Sequence, residues 1–234
     1  MGTYITGDKH GDISLLFLWV LKSKADDTLV VLGDAGLNVR ENYHDNIKKE
    51  AIYRGFDLDR VGKIFCVHGN HEMRPEHLKN IQTKEFKGGK VMYQEAYPNI
   101  LYAIDGEVYN FDGKQCLVIG GAYSVDKYYR LANGWFWFED EQPSEKTKKR
   151  VESKLRSLDW KVDCVFSHTC PFEWRPTHLF LKGIDQSKVD TTTEEWLQTI
   201  KDRLSFKHWY FGHYHGDEYY DDHTMLFNEF TELK

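Results

Sequence analysis

Short apolar runs alternate with helical patterns near the start of the chain, and this alternation is the strongest constraint on the fold. Strand-like runs occur at residues 3–6 (TYIT), 28–32 (TLVVL) and 63–67 (KIFCV). Between them, residues 13–22 and 42–56 have the apolar spacing of helices. An order of strand, helix, strand, helix and strand predicts parallel strands joined by crossover helices.

The middle of the chain has a different pattern. Residues 90–123 contain short alternating runs separated by Asp-Gly turn sequences, which are typical of antiparallel strands. The α/β pattern then returns, with a helix at 143–158, a strand at 162–166, a helix whose Thr191 and Glu194 fit a capping box, a strand at 208–212 and a closing hairpin within 217–230. Because the antiparallel part lies inside the α/β pattern, we expect one α/β domain over residues 1–234, with two sheets and outer helices.

The composition limits the classes of function. The formal net charge of −6 argues against binding nucleic acid through a broad basic face. We find no run of 18 apolar residues and no secretory signal pattern, so we expect no membrane span. The cysteines form no Cys-x-x-Cys pair, and we expect buried free thiols and a cytoplasmic location. They are Cys66, Cys116, Cys164 and Cys170.

Five apolar strands are each followed by Asp, Asn or His. In open α/β sheets the carboxyl ends of the strands share one edge, where ligands bind, so we expect these polar residues to converge there. Along the chain they are Asp8 and His10, then Asp34, then Asn70 and His71, then His168, and finally His213 and His215.

Seven of these side chains offer oxygen or nitrogen ligands, and none offers a thiolate. Seven ligands are too many for one tetrahedral zinc ion, and they suit two metal ions with one carboxylate between them. Mixed carboxylate and imidazole ligation favours Mn, Fe, Zn or Ni over Mg or Ca, and we expect Mn to serve best in vitro. The seven are Asp8, His10, Asp34, Asn70, His168, His213 and His215.

The order of these motifs resembles a known family. Asp-x-His, Gly-Asp, Gly-Asn-His-Glu, a single His and Gly-His-x-His follow one another from Asp8 to His215, as in the calcineurin-like metallophosphoesterases. The resemblance implies a four-layer α-β-β-α sandwich, in which two mixed β-sheets pack face to face with helices on the outside. It also implies hydrolysis of a phosphoester by attack of a metal-bound hydroxide.

The resemblance implies a role for each residue. His71 would be the general acid that protonates the leaving oxygen, and the usual pKa of histidine, about 6.5, suits proton transfer. Asp34 would bridge the two metals. One metal would be held by Asp8, His10 and His215, and the other by Asn70, His168 and His213.

The chain departs from the Ser/Thr protein phosphatase branch of this family. Leu37 and Asn38 stand where that branch has Asp and Arg, and His68 stands where it has a second Arg. We therefore expect a small phosphorylated substrate or a nucleotide rather than a phosphoprotein. Arg74 is the first candidate for a replacement phosphate contact, because guanidinium matches phosphate geometry, and Asn38 and Arg40 are weaker candidates.

Several alternatives stay open. A nuclease or a polynucleotide-end phosphatase or phosphodiesterase of the same fold is one, acting on short ends rather than on long nucleic acid, and a non-catalytic metal scaffold is another.

Lys9 lies between two ligand candidates and is expected to point away from the metals. The aromatic run at 135–138 fits a core and cover segment, a lid or base-stacking wall, or an interface. Residues 168–180 fit a loop over the site.

Overall fold

The observed helices and strands follow the alternation that the sequence predicts, in a computed structural model that describes residues 2–234. The helices are α1 (Ile13–Lys22), α2 (Tyr43–Tyr53), α3 (Lys127–Ala132), α4 (Glu145–Ser157) and α5 (Thr192–Lys201). The strands are β1 (Thr3–Thr6), β2 (Thr28–Val31), β3 (Lys63–Cys66), β4 (Ile81–Phe86), β5 (Gly89–Gln94), β6 (Ile100–Ala103), β7 (Val108–Phe111), β8 (Lys114–Ile119), β9 (Cys164–Ser167), β10 (His208–Phe211), β11 (Glu218–Tyr219), β12 (His223–Met225) and β13 (Thr231–Glu232). Short 3₁₀ turns occur at Pro75–His77, Phe172–Trp174, Thr177–Leu179 and Gln186–Lys188.

The strands form two mixed sheets. The first has the order β13-β1-β2-β3-β6-β5-β4, and its central strands β1, β2, β3 and β6 are parallel. The second has the order β11-β12-β10-β9-β8-β7, with β12, β10, β9 and β8 parallel. Helices α1 and α2 make the crossovers between β1, β2 and β3, which parallel neighbours require. The predicted crossover plan is therefore confirmed.

Three hydrophobic clusters separate four layers. In β2, Val30 belongs to the cluster between the two sheets, together with Phe166 of β9. The neighbouring Leu29 belongs to the cluster that covers the outer face of the first sheet, together with Leu16 of α1. A third cluster joins the second sheet to α4 and α5. Because side chains alternate along a strand, each sheet buries both faces, and the predicted sandwich of helices outside two packed sheets is confirmed.

The antiparallel middle of the chain is divided between the sheets. Strands β4, β5 and β6 belong to the first sheet, and the hairpin of β7 and β8 belongs to the second. The prediction of antiparallel strands over residues 90–123 was incomplete, because β6 also pairs in parallel with β3. Sequence reasoning also missed β4, α3 and β13.

The predicted capping box at the start of α5 was wrong. The hydroxyl of Thr191 donates to Glu195 Oε1 at 2.7 Å, and Glu194 Oε1 accepts from the hydroxyl of Thr169 at 2.7 Å. Asp190 instead accepts from the backbone N–H of Thr192 at 2.9 Å. Glu194 is thus turned into the molecule, towards the loop that follows β9.

All four cysteines are buried free thiols, as predicted. Within residues 2–234, no helix is long and apolar enough to cross a membrane.

Candidate metal centre

The carboxyl ends of five parallel strands meet at one edge of the sandwich. Strands β1, β2 and β3 approach this edge from the first sheet, and β9 and β10 approach it from the second. His168 Nε2, after β9, lies 3.6 Å from Asp34 Oδ2, after β2. The predicted convergence of the polar residues that follow these strands is therefore what the fold produces.

Two buried carboxylates lie at the middle of this edge and are held in the same way. Asp8 Oδ1 accepts from the backbone N–H of His213 at 2.8 Å, and Asp34 Oδ1 accepts from the backbone N–H of His71 at 2.8 Å. Their Oδ2 atoms are buried, and neither has a hydrogen-bond partner among residues 2–234. A buried charged oxygen without a partner costs about 1–3 kcal/mol or more. Both oxygens are thus free to bind a cation.

One group of three ligand candidates surrounds Asp8 Oδ2. His215 Nε2 lies 3.4 Å from this oxygen and His10 Nε2 lies 3.8 Å from it. The two imidazole nitrogens are 2.9 Å apart. All three atoms lie within 4.8 Å of one another, a spacing that a single ion between them would satisfy.

A second group surrounds the side-chain oxygen of Asn70. Asn70 Oδ1 lies 2.7 Å from His168 Nε2 and 3.1 Å from His213 Nδ1. The ligand atoms of Asp8, Asp34 and His168 also lie within 4.8 Å of one another. The two groups therefore adjoin through the carboxylates.

Neighbouring side chains orient the second group. His168 Nδ1 donates to the carbonyl of Leu32 at 2.7 Å, so Nε2 presents its lone pair to the cluster. Asn70 Nδ2 donates to Ser124 Oγ at 2.8 Å, and Ser124 Oγ donates in turn to Glu141 Oε2 at 2.5 Å. This chain directs the amide oxygen of Asn70, rather than its nitrogen, at the cluster.

Backbone strain is concentrated in the same residues. Four of the seven ligand candidates have positive φ, namely His10 (45°), Asp34 (48°), His213 (68°) and His215 (54°). Residues other than glycine seldom adopt this conformation, and it costs on the order of 1–3 kcal/mol each. Such strain is typical of sites in which the surroundings hold side chains in a functional arrangement.

Two glycines of the motifs, Gly69 and Gly212, are required because the backbone there passes close to the buried carboxylates. A Cβ on Gly69 would lie 2.0 Å from Asp34 Oδ1, and a Cβ on Gly212 would lie 2.4 Å from Asp8 Oδ1. Any larger residue would push the carboxylate out of place, which explains the glycines in Gly-Asn-His-Glu and Gly-His-x-His.

The electrostatics of the cluster favour a bound cation. Burial by itself raises the pKa of Asp8, but the imidazoles of His168, His215 and His10 hold it well below its usual value. Burial and the charge of Asp34 raise the pKa of Glu72 to about 8. A crowded set of buried acids is stabilised when a positive ion joins it.

His71 lies beside the cluster and contacts an arginine that sequence reasoning missed. His71 Nε2 is 3.3 Å from Arg130 Nη2, and Arg130 Nε donates to Asp126 Oδ2 at 2.7 Å. Burial lowers the pKa of His71, Asp34 opposes this effect and Arg130 adds to it. Arg130 lies in the six-residue α3 and in no recognisable motif. Its only sequence signal is the i,i+4 pair with Asp126, which is common on helices.

The predicted phosphate contacts are engaged elsewhere. Arg74 is buried, and its Nη1 donates to Asp105 Oδ2 at 2.9 Å. Asn38 Nδ2 donates to the carbonyl of Met73 at 2.5 Å. The guanidinium carbon of Arg40 lies 4.2 Å from the centroid of the Phe136 ring. Within residues 2–234, none of the three is hydrogen-bonded to His71 or to a ligand candidate, so the structure does not bring them to the cluster.

Lys9 and the aromatic run also lie away from the cluster. Lys9 is buried, and its ammonium group donates a hydrogen bond to the carbonyl of Phe227. It points away from the ligand candidates, as predicted. Trp135 and Phe136 are about half exposed, and the centroid of the Trp137 ring lies 3.9 Å from the ammonium group of Lys127. Residues 135–138 do not line the cavity.

A cavity of about 340 Å³ opens from the cluster. Part of its lining comes from Asp34, Asn70, His71, His213 and His215. The rest comes from residues between 175 and 194, from Tyr123, Val125 and Asp126, and from Tyr214. The cluster is therefore accessible to a small molecule, and the chain that follows His168 helps to cover it.

A match to a protein family agrees with this geometry. The sequence matches the family described as calcineurin-like phosphoesterase over residues 1–217. Comparison with curated protein sequences gave no match. Among solved structures, a phosphopantetheinyl hydrolase from Mycobacterium tuberculosis is similar, with 16% sequence identity, a TM-score of 0.48, and coverage of 96% of this chain and 87% of that one.

Proposed function

The chain belongs to the calcineurin-like phosphoesterase family, whose members are metal-dependent phosphoester hydrolases, and we propose that it hydrolyses a small phosphoester or a nucleotide at the cluster described above. The family uses two metal ions. We infer that one is held by Asp8, His10 and His215, that the other is held by Asn70, His168 and His213, and that Asp34 lies between them.

One observation carries this proposal. Two neighbouring buried carboxylates each keep one oxygen on a backbone N–H and leave the other without a partner. A fold that only needed to bury these acids would satisfy both oxygens, because buried polar groups are nearly always hydrogen-bonded. Oxygen and imidazole nitrogen without thiolate fit Mn, Fe, Zn or Ni.

When bound, such ions supply Lewis acidity that stabilises both the attacking and the leaving oxygen of an in-line displacement. The residues of the chain then have two tasks, which are to orient the phosphate and to move one proton.

We propose that His71 gives a proton to the leaving oxygen. Its Nε2 faces Arg130 Nη2 at 3.3 Å, so two donors would face each other if His71 were protonated. A phosphate oxygen between them would accept from both. Such an anion would also favour the protonated imidazole, so substrate binding would prepare His71 as the acid.

Arg130 is our candidate for the phosphate contact that the sequence analysis assigned to Arg74. Its Nε is held by Asp126, which leaves Nη2 directed at His71. A guanidinium group fixed by a carboxylate is pre-organised to bind phosphate. Arg130 would therefore orient the substrate beside the proton donor.

The test is a panel of phosphomonoesters, phosphodiesters, cyclic esters, nucleotides and phosphopeptides, assayed with Mn²⁺, Ni²⁺, Zn²⁺ and Mg²⁺. We expect turnover of a small ester or a nucleotide with a transition metal and none in the presence of a chelator. Turnover of phosphopeptides alone would contradict the proposal. The four buried free thiols also support a reducing compartment, and we propose the cytoplasm.

A further inference from the structure

We propose that an apolar pocket next to the metal centre binds the organic group of the substrate, and that this group is apolar and carries no negative charge. The pocket is the part of the 340 Å³ cavity that is formed by Val125, Leu179, Phe180, Leu181, Ile184 and Val189. The inference rests on the proposed function, because it names the kind of phosphoester that the same site accepts.

The pocket and the metal centre are parts of one cavity. Asp34, His71 and His213 line the same cavity as the apolar side chains. A phosphate that sits against the ligand candidates can therefore direct its organic group towards these side chains. The mainly apolar lining with a few polar groups is typical of sites for small organic ligands.

The charged groups of the lining disfavour an anion. Asp126, Asp190 and Glu194 line the cavity, and Arg175 is the arginine in its lining. Its guanidinium group lies 3.5 Å from the centroid of the Phe172 ring. Asp126 Oδ1 and Glu194 Oε2 are buried without a hydrogen-bond partner in the described chain. Asp190 would repel a second phosphate or a carboxylate. Asp126 and Glu194 add less to this repulsion, because Asp126 is paired with Arg130 and burial raises the pKa of Glu194.

Two contacts anchor the wall of the pocket to the rest of the chain. We call residues 171–190 the cover segment. His178 Nε2 lies 2.7 Å from Glu218 Oε1, and Phe180 stacks on Tyr214 with ring centroids 6.2 Å apart. Tyr214 lies between two ligand candidates in the chain. A wall anchored in this way loses little conformational entropy when a ligand binds.

The cover segment also exposes apolar side chains at the cavity. Leu179 is 39% exposed and Leu181 is 63% exposed. Exposed apolar side chains that cluster around a cavity mark a binding surface. Covering them with an apolar group removes that surface from water, which is the source of the affinity that we expect.

The test is a series of straight-chain alkyl phosphates from ethyl to octyl. Their leaving alcohols have nearly equal acidity, so a change in rate along the series reports binding of the chain. With the Mn²⁺-loaded protein, we expect kcat/KM to rise about fourfold for each methylene that becomes buried. Sorbitol 6-phosphate, which has the length of hexyl phosphate but carries hydroxyl groups, should be a poorer substrate than hexyl phosphate.

A variant locates the effect in the pocket. Ile184→Asp should flatten the dependence of kcat/KM on chain length, because it places a charge on the apolar wall. Leu18→Asp changes an exposed residue of α1, 48% exposed and outside the cavity, and should keep the dependence. Thermal melting of each variant checks that it is folded, and the comparison of hexyl with sorbitol phosphate needs no variant.

Binding of alkyl phosphonates, measured by calorimetry, separates this inference from the proposed function. Phosphonates are not hydrolysed, so a fall of Kd with chain length supports the pocket even if no ester is turned over, and in that case the proposed hydrolysis is what fails. Flat series in both turnover and binding would overturn the inference. So would a preference for sorbitol 6-phosphate or for an ester that carries a carboxylate.

Discussion

Replacing Asp34 with Asn should stabilise the metal-free chain and remove most of the rise in Tm that metal binding causes. The carboxylate is 1% exposed, and its Oδ2 has no partner among residues 2–234. In the Asn variant the other oxygen can still accept from the N–H of His71. The new amide nitrogen would replace Oδ2, which lies 3.6 Å from His168 Nε2, and could donate to it.

The magnitude follows from these contacts. Removing an unpartnered buried charge should recover about 1–3 kcal/mol. For a chain of this size each kcal/mol shifts Tm by roughly 2–4 °C, so we expect the metal-free Tm to rise by about 2–12 °C. In the wild type, free metal at a hundred times Kd adds about 2.7 kcal/mol for each site, or about 5–11 °C. The variant should lose most of this rise.

The assay is thermal melting in a chelator and in Mn²⁺. Asp45→Asn is the matched control, because Asp45 is also buried but its Oδ2 accepts from the backbone N–H groups of Arg40 and Glu41 at 2.7 and 3.0 Å. This control should lower Tm in both conditions and keep the metal response. If Asp34→Asn lowers the metal-free Tm, or keeps the full rise with Mn²⁺, the reasoning is refuted.

Three further predictions follow from single residues. His71→Ala should bind metal as the wild type does but lose about 10²–10⁴-fold in kcat, and normal turnover by the metal-loaded variant would remove its role as the acid. Arg130→Ala should lower kcat/KM for a phosphoester by about 10–150-fold, the value of a charged hydrogen bond of about 1.5–3 kcal/mol, and Arg130→Lys should recover part of the loss; an unchanged kcat/KM would contradict the assigned contact. Burial lowers the pKa of Lys49 from 10.5. Just below pH 10.5 the unfolded chain therefore binds more protons than the folded chain. The wild type thus gains stability from this group as pH rises. The free energy of unfolding of Lys49→Met minus that of the wild type, from urea unfolding, should therefore fall from pH 8 to pH 10, and a rise would contradict this sign.

The sequence predicted the ligand candidates because local signals and topology agree there. Each of them follows an apolar strand directly, and parallel strands deliver their carboxyl ends to one edge. Asp34 and His168 are distant in sequence, yet the strand pattern alone is enough to bring them together. Residues whose position is set by the end of a strand are the ones that sequence reasoning can place.

Residues that depend on side-chain partners could not be predicted in this way. Arg74 lies close to His71 in sequence, but its guanidinium group pairs with Asp105. Arg130 reaches His71 across 59 residues from a short helix with no apolar periodicity. The pairing of β13 with β1 likewise joins the two ends of the chain. Such contacts are fixed by tertiary packing, so local sequence patterns do not predict them.

The central claim is that seven side chains hold two metal ions and that the pair drives phosphoester hydrolysis. Titrating the metal-free protein with Mn²⁺ while measuring both bound metal and the rate of p-nitrophenyl phosphate hydrolysis tests it most directly. The account predicts two ions for each chain and a rate that becomes maximal only when the second ion is bound. Full activity with one ion, or activity that persists in the metal-free protein, would contradict it.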